Sequence, residues 1–223
     1  MSDKYFRTYH LPWSEGATKD DKILSPQSLH VLISEPLVIT EKLDGSNICL
    51  TKDACYARSH ANVPAHQSFD MLKQIHGEKK YMIPAGYSLF GEYVYAVHSI
   101  KYTELDSYIY LFGVRKDRTG YWLPFEAVRG IAFMLGLKAV PKLATVNWAD
   151  TVHLEGTVRE LMWNKSVFGG EREGVVVRVA GGFTNPDWAI AKFVRANHVQ
   201  TDEHWTDKPV EKQNVVLNND WEW

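Results

Sequence analysis

The chain has 223 residues, 45% hydrophobic and 23% charged, a composition that supports a packed core and argues against disorder. A formal net charge of −2 excludes a generally basic nucleic-acid coat, so any polynucleotide contact has to come from a local patch. The two cysteines, Cys49 and Cys55, lack C-x-x-C spacing and argue against a zinc site or a secreted disulfide framework, and no apolar run approaches membrane-spanning length. These features predict a soluble, cytoplasmic protein with no membrane contact.

The first 36 residues are polar and turn-rich and predict an N-terminal extension packed on the domain, irregular apart from an apolar patch at Leu29 to Ile33. Residues 37–50 read LVITEKLDGSNICL. Val38, Ile39 and Thr40 are β-branched and favour a strand, Asp44-Gly45-Ser46-Asn47 supplies turn chemistry, and Ile48 opens a second strand. Lys42 therefore sits where a buried strand breaks into a turn. A lysine held there is partly desolvated, and its neutral amine is a nucleophile.

Cys55 to Arg58 reads as the returning arm of a hairpin, Phe69 to Ile75 as a short helix stopped at Gly77, and Tyr87–Val94 and Tyr108–Val114 as strands. Pro124 opens an apolar-periodic helix through Leu135, and Asp150 caps another that runs to about Trp163. Gly169-Gly170 breaks the chain. Val175–Val179 is continuously β-branched, as in a strand buried on both faces, and Ala189–Val194 is the last strand. The tail from Thr201 is charged and rich in tryptophan, with no second apolar core.

Further short strings sit on or at the ends of these strands: Arg58-Ser59, Phe90-Gly91-Glu92, Leu111-Phe112-Gly113-Val114, Glu173-Gly174-Val175-Val176 and Lys192-Phe193-Val194-Arg195. With K-x-D-G at Lys42 they occur in an order that resembles the lysine nucleotidyltransferase superfamily, the ATP-dependent polynucleotide ligases and mRNA capping enzymes. Asn47, five residues after the lysine, resembles the RNA-ligase branch. The longer strings HLPWSEGATKDD, VITEKLDGSN, GEYVYAVHSI, EGVVVRV and AKFVRANHVQTDEHW resemble a compact bacterial-type RNA ligase family from about Tyr9 to Trp205.

The resemblance implies an α+β fold, an ATP-grasp-like nucleotidyltransferase domain with mainly antiparallel sheets flanked by helices. It spans 1–223 as a single domain, with 1–36 as the extension, 199–223 as a short tail and no separate OB-type domain. It implies that Lys42 attacks the α-phosphorus of ATP and carries AMP, that Lys192 grips the α-phosphate, and that Glu41 accepts from the adenine amino group. Asp44 and Asn47 would shape the turn or hold metal-bound water. Arg58 would contact ribose or phosphate, Glu92 would accept from ribose hydroxyls, Phe112 would stack on adenine, and Glu173 would bind Mg2+ or Mn2+. Where many ligases carry K-x-K, this chain has Lys192 and Val194; Arg195 is the remaining cation for a second phosphate contact, although neighbours on a strand face opposite ways.

An amine near pKa 10.4 is almost fully protonated at neutral pH, so an unusually low pKa is expected for Lys42 with ATP bound. The implied partners are RNA 5′-phosphate and 3′-hydroxyl ends, with a nicked duplex and a protein partner left open. His198 and His204 in the tail are read as solvated or capping residues, with phosphate or metal contact as the alternative. A DNA ligase, an mRNA guanylyltransferase and a non-catalytic nucleotide- or RNA-binding module remain alternatives.

Overall fold

The computed structural model describes residues 4–58, 63–147, 150–196 and 210–216. The elements in chain order are β1 (Tyr9–His10), α1 (Pro26–Ile33), β2 (Leu37–Lys42), β3 (Ser46–Leu50), β4 (Cys55–Ala57), α2 (Asp70–Lys79), β5 (Tyr87–Tyr93), β6 (Ile109–Lys116), β7 (Tyr121–Trp122), α3 (Phe125–Met134), β8 (Lys138–Ala139), β9 (Lys142–Val146), α4 (Thr151–Trp163), β10 (Gly174–Val179), α5 (Pro186–Ala189) and β11 (Ile190–Val194). One sheet has the order β1-β11-β10-β2-β9 and the other β4-β3-β5-β6-β7, with β8 paired to β6. All pairs are antiparallel except β1 with β11 and β6 with β8.

Period-2 alternation divides each strand between two environments. In β2, Leu37 and Ile39 enter the core with Val175 and Val177 of β10, Leu29 and Leu32 of α1 and Leu154 and Val158 of α4. Thr40 and Lys42 face the other way, towards the second sheet. That sheet buries Ile48, Leu50, Leu89 and Leu111 with Leu72 of α2 and Val128 and Ala132 of α3. The helices thus cover the outer faces, and the inner faces enclose a cleft. Arg178 of β10 crosses it: Nη1 donates to the Phe112 carbonyl at 3.1 Å and Nη2 to the Leu123 carbonyl at 2.8 Å.

The N-terminal extension is more ordered than its sequence suggested. Leu11 and Leu24 are buried, and α1 starts one turn before the apolar patch because Ser25 caps it, accepting from the Ser28 N–H, with Pro26 at its first position. Helix α2 runs through Gly77, a tolerated glycine with open space around its Cα, to Lys79. Asp150 caps α4 as expected, accepting from His153 N–H at 2.7 Å. Gly169 and Gly170 adopt φ of 73° and 77°, the left-handed region glycine favours, and turn the chain into β10. Among the described tail residues, Gln213 is buried; its amide accepts from Tyr102 N–H and donates to the Ile100 carbonyl, which fixes the 99–102 loop.

Candidate active site

Lys42 is the last residue of β2, in the first sheet, and four residues later β3 begins in the second. The nucleophile candidate therefore lies at the hinge of the cleft. The turn between the two strands is held from several sides. Asp44 Oδ2 accepts from Ser99 N–H and Oγ–H, both at 2.8 Å, and from Ile100 N–H at 2.9 Å. The Asp44 N–H donates to the Tyr102 hydroxyl, and Gly45 N–H to Glu92 Oε1 at 3.1 Å. A Cβ on Gly45 would lie 2.7 Å from the Tyr93 carbonyl oxygen, so the turn needs glycine for close approach. Asp44 is thus engaged in shaping the turn.

Lys42 Nζ donates to Glu173 Oε1 at 2.5 Å across 131 residues of sequence. The pairing follows from register: Lys42 lies opposite Gly174, and Glu173 immediately precedes it. Gly174 lets β11 lie close against β10, because a Cβ there would sit 2.1 Å from the Phe193 carbonyl oxygen. Lys192 stands opposite Val176, which stands opposite Thr40, so Lys192 shares the inner face with Lys42. From the second sheet, Asn47 and Glu92 are directly paired and present their side chains to the same cleft. Asn47 Oδ1 is buried and makes no hydrogen bond.

The charges are mutually perturbed. Burial pushes the Lys42 ammonium down, but the Glu173, Glu92 and Asp44 carboxylates outweigh it and hold its pKa above the ordinary lysine value. With these groups alone around it, Lys42 stays charged; the lowered pKa expected in the ATP-bound site is not the property of this arrangement. Burial pushes Glu92 up to about 8, with Lys42 opposing and the Glu173 and Asp44 carboxylates adding to it. Lys192 is lowered, by burial and then by Lys42. The cleft thus gathers two cations, Lys42 and Lys192, the Glu173 carboxylate, and a Glu92 carboxyl that burial holds protonated at neutral pH.

Glu41 takes the opposite face of β2. Its Oε2 accepts from Val167 N–H at 3.0 Å and meets Arg172 Nη2 at 3.5 Å, while Oε1 is buried without a partner. Arg172 also donates to the Leu161 and Lys165 carbonyls, so it holds the chain between α4 and β10. Arg58 is exposed at the end of β4, and its charge acts on Lys192; Ser59 lies outside the described residues. Phe112 is half-buried beside the Phe90/Gly91 register shift, its ring in edge contact with Tyr5 at 5.0 Å.

Arg195 is not brought to the cleft. It lies in the same alternation as Phe193, pairs with Glu171 at 2.7 Å, and lines a hollow with Arg159, Met162 and Trp163 of α4. Strand alternation explains this placement, which turns Arg195 away from Lys192. His198 and His204 fall outside the described residues.

Sequence reasoning missed three contributors from the extension and beyond. Tyr5 inserts its ring among Phe90, Phe112 and Trp122 at 5.0–5.4 Å. His10, on β1, sits in register with Lys192. Arg172 positions Glu41. His10 opens the string HLPWSEGATKDD, but its place beside Lys192, like those of Tyr5 and Arg172, depends on a long-range contact that the local sequence does not show. Among the described residues no group of three or more His, Cys, Asp or Glu is gathered as a metal site. Glu173 alone offers a hard carboxylate oxygen beside Lys42, a ligand type suited to a divalent ion that keeps most of its waters. No helix of the described residues is long and apolar enough to cross a membrane.

Two facing, mainly antiparallel sheets flanked by helices, with a lysine at the hinge between them, make this a nucleotidyltransferase fold of the ligase type. Residues 35–194 match the sequence model of the RNA ligase family, and the chain belongs to that family. Comparison with curated proteins gave no match. Among solved structures the chain is similar to Naegleria gruberi RNA ligase with PPi, at TM-score 0.56 and 18% identity over 88% of this chain and 62% of that one. A variant of that enzyme with AMP and Mn aligns at TM-score 0.52 and 18% identity, covering 78% of this chain and 53% of that one. An archaeal ATP-dependent RNA ligase aligns at TM-score 0.52 and 14% identity, covering 83% and 48%. The chain thus spans roughly half to three fifths of the length of these enzymes.

Proposed function

We propose that the chain is an ATP-dependent RNA ligase that joins 5′-phosphate and 3′-hydroxyl ends, in RNA repair or end joining, through a covalent lysyl-AMP. The observation that carries the proposal is the convergence of Lys42, Glu173, Glu92 and Lys192 on one cleft from four separate strands or strand ends. Neutral Lys42 Nζ attacks the α-phosphorus of ATP, a phosphoramidate N–P bond forms, and the P–O bond to pyrophosphate breaks. The RNA 5′-phosphate then displaces the lysine and takes AMP, and the 3′-hydroxyl oxygen attacks that 5′-phosphorus and expels AMP. Each step needs in-line placement and neutralised phosphate charge.

Lys192 faces the phosphate beside Lys42. Phe112 offers a ring to the adenine, Glu92 and Arg58 hold the ribose side, and Glu41, on the opposite face of β2, has no part in this reading. Mg2+ or Mn2+ bound at Glu173 would neutralise phosphate oxygens and favour the free amine of Lys42.

The test is incubation with α-labelled ATP or GTP and magnesium, followed by denaturing electrophoresis. Label from ATP that survives denaturation, is released by acid and disappears in Lys42→Ala supports the reading. Label from GTP alone, or ATP label retained by Lys42→Ala, overturns it. Nicked duplexes and single strands of RNA and DNA then identify what is sealed.

A further inference from the structure

The N-terminal extension reaches the cleft through β1, which pairs in parallel with β11 and aligns His10 with Lys192. Residues in register on neighbouring strands project to the same face. His10 is accordingly turned towards the inner face, and Lys192, Asp21, Lys42 and Arg7 all act on its charge. It is 2% exposed. The extension also covers the edge of β11 beyond Lys192: Leu11 N–H donates to the Lys192 carbonyl, Gly16 N–H to the Val194 carbonyl, and Val194 N–H to Ser14 Oγ. Val194 is the position at which a K-x-K pair would carry its second lysine, so the edge where that cation is missing is the edge the extension occupies.

The groups around the imidazole bear on its state. Ser14 Oγ already accepts from Val194 N–H at 3.0 Å and lies 2.8 Å from His10 Nδ1. The hydroxyl has a second lone pair and one hydrogen, so it can serve Nδ1 in either role; the Asp21 carboxylate oxygen facing Nε2 can only accept, and that favours the ring hydrogen on Nε2 with the serine hydroxyl donating to Nδ1. Burial, followed by the positive charge of Lys192, pushes His10 down to about 4 against the pull of Asp21, so the ring is neutral near pH 7. Nε2 is buried and makes no hydrogen bond; Asp21 Oδ2 lies 3.5 Å away, too far for a good one. That carboxylate is already served by the Thr18 N–H and hydroxyl and by Arg7. A buried donor left without an acceptor is costly unless a ligand supplies one. The two lysines on the same face make that ligand an anion.

We propose that His10 is a phosphate ligand of the nucleotide site, its Nε2–H donating to a phosphate oxygen of ATP beside Lys192. The N-terminal extension would thereby supply the second phosphate contact that Val194 cannot make. The proposal rests on the reading of the cleft as an ATP site, and the experiment separates the two. Affinities of the full chain for α,β-methylene ATP and for adenosine are measured by calorimetry for wild type, His10→Ala and His10→Gln, with Lys42 labelling by α-labelled ATP in parallel.

His10→Ala is expected to weaken the ATP analogue about 10- to 100-fold, the size of a hydrogen bond to a charged group, and to leave adenosine within about twofold. His10→Gln, which keeps an amide N–H near the Nε2 position, is expected to recover most of the loss. A purely structural histidine would lower both affinities together and would gain nothing from glutamine, and that result overturns the proposal. Unchanged analogue affinity in His10→Ala, with wild type labelled at Lys42, overturns this proposal alone. Wild type that binds neither ligand and takes no label overturns both readings.

Discussion

Glu92 gives the sharpest thermodynamic test of the cleft. Burial lifts its carboxyl from an ordinary 4.5 to about 8, Lys42 opposes, and the Glu173 and Asp44 carboxylates add to the rise. Below about pH 4.5 the group is protonated in the folded and the unfolded chain and contributes no pH dependence. Between 4.5 and about 8 the unfolded chain releases the proton while the folded chain keeps it, so stability falls as pH rises; above that window the loss is complete. At about 1.4 kcal/mol per pH unit the ceiling is about 5 kcal/mol. Relaxation around the ionised group and water in the cleft reduce this to about 2–3 kcal/mol. Glu92→Gln keeps the shape and the acceptor for Gly45 N–H but cannot ionise. Thermal melts of both proteins at pH 5 and pH 8.5 should show wild type losing about 5–10 °C more than the variant over that interval. Parallel curves would mean that Glu92 ionises freely in the folded chain, and the electrostatic account of the cleft would fail.

Two further substitutions test how the site is held. Gly174→Ala would place a methyl carbon 2.1 Å from the Phe193 carbonyl oxygen and push β10 from β11, with a loss of about 3 kcal/mol or more and of Lys42 labelling; an unchanged melting temperature would refute the packing argument. Arg172→Met strands the Glu41 carboxylate, which is fully buried and otherwise held by the Val167 N–H, and should cost about 3–5 kcal/mol. Adding Glu41→Gln to that variant should recover a large part of the loss, and additive losses in urea titrations would show that the two residues act independently.

The strands and the site were legible in the sequence to different depths. Lys42, Glu92, Glu173 and Lys192 each lie on or beside a strand plain from its β-branched and apolar residues, so their convergence needed only the right pairing order. Arg195 shows how one residue of phase decides a role: Lys192 faces the cleft, and three positions later Arg195 faces α4 and pairs with Glu171. The warning lay in strand periodicity, which puts odd and even positions on opposite faces. The place of His10 was not readable because β1 is two residues long and gains its partner from the other end of the chain. A two-residue strand carries no periodicity, and a parallel pairing across about 180 residues leaves no trace in local composition.

The charge on Lys42 shows how far local reading reaches. A lysine at a buried strand end should lose its proton more easily, and burial here acts in that direction. The carboxylates that reverse the balance come from the turn itself, from β5 and from the residue before β10, and only the turn is visible from Lys42 in the sequence. Their effect is to keep the amine charged and bonded to Glu173 until that carboxylate is drawn elsewhere. An incoming phosphate alone would deepen the negative field and hold the proton more firmly. In the proposed reaction, attack would require positive charge to accumulate around the phosphate, from Lys192 and from whatever Glu173 binds in place of Lys42. On that proposal Glu173 would have two partners in succession, and its exchange between them would free the nucleophile.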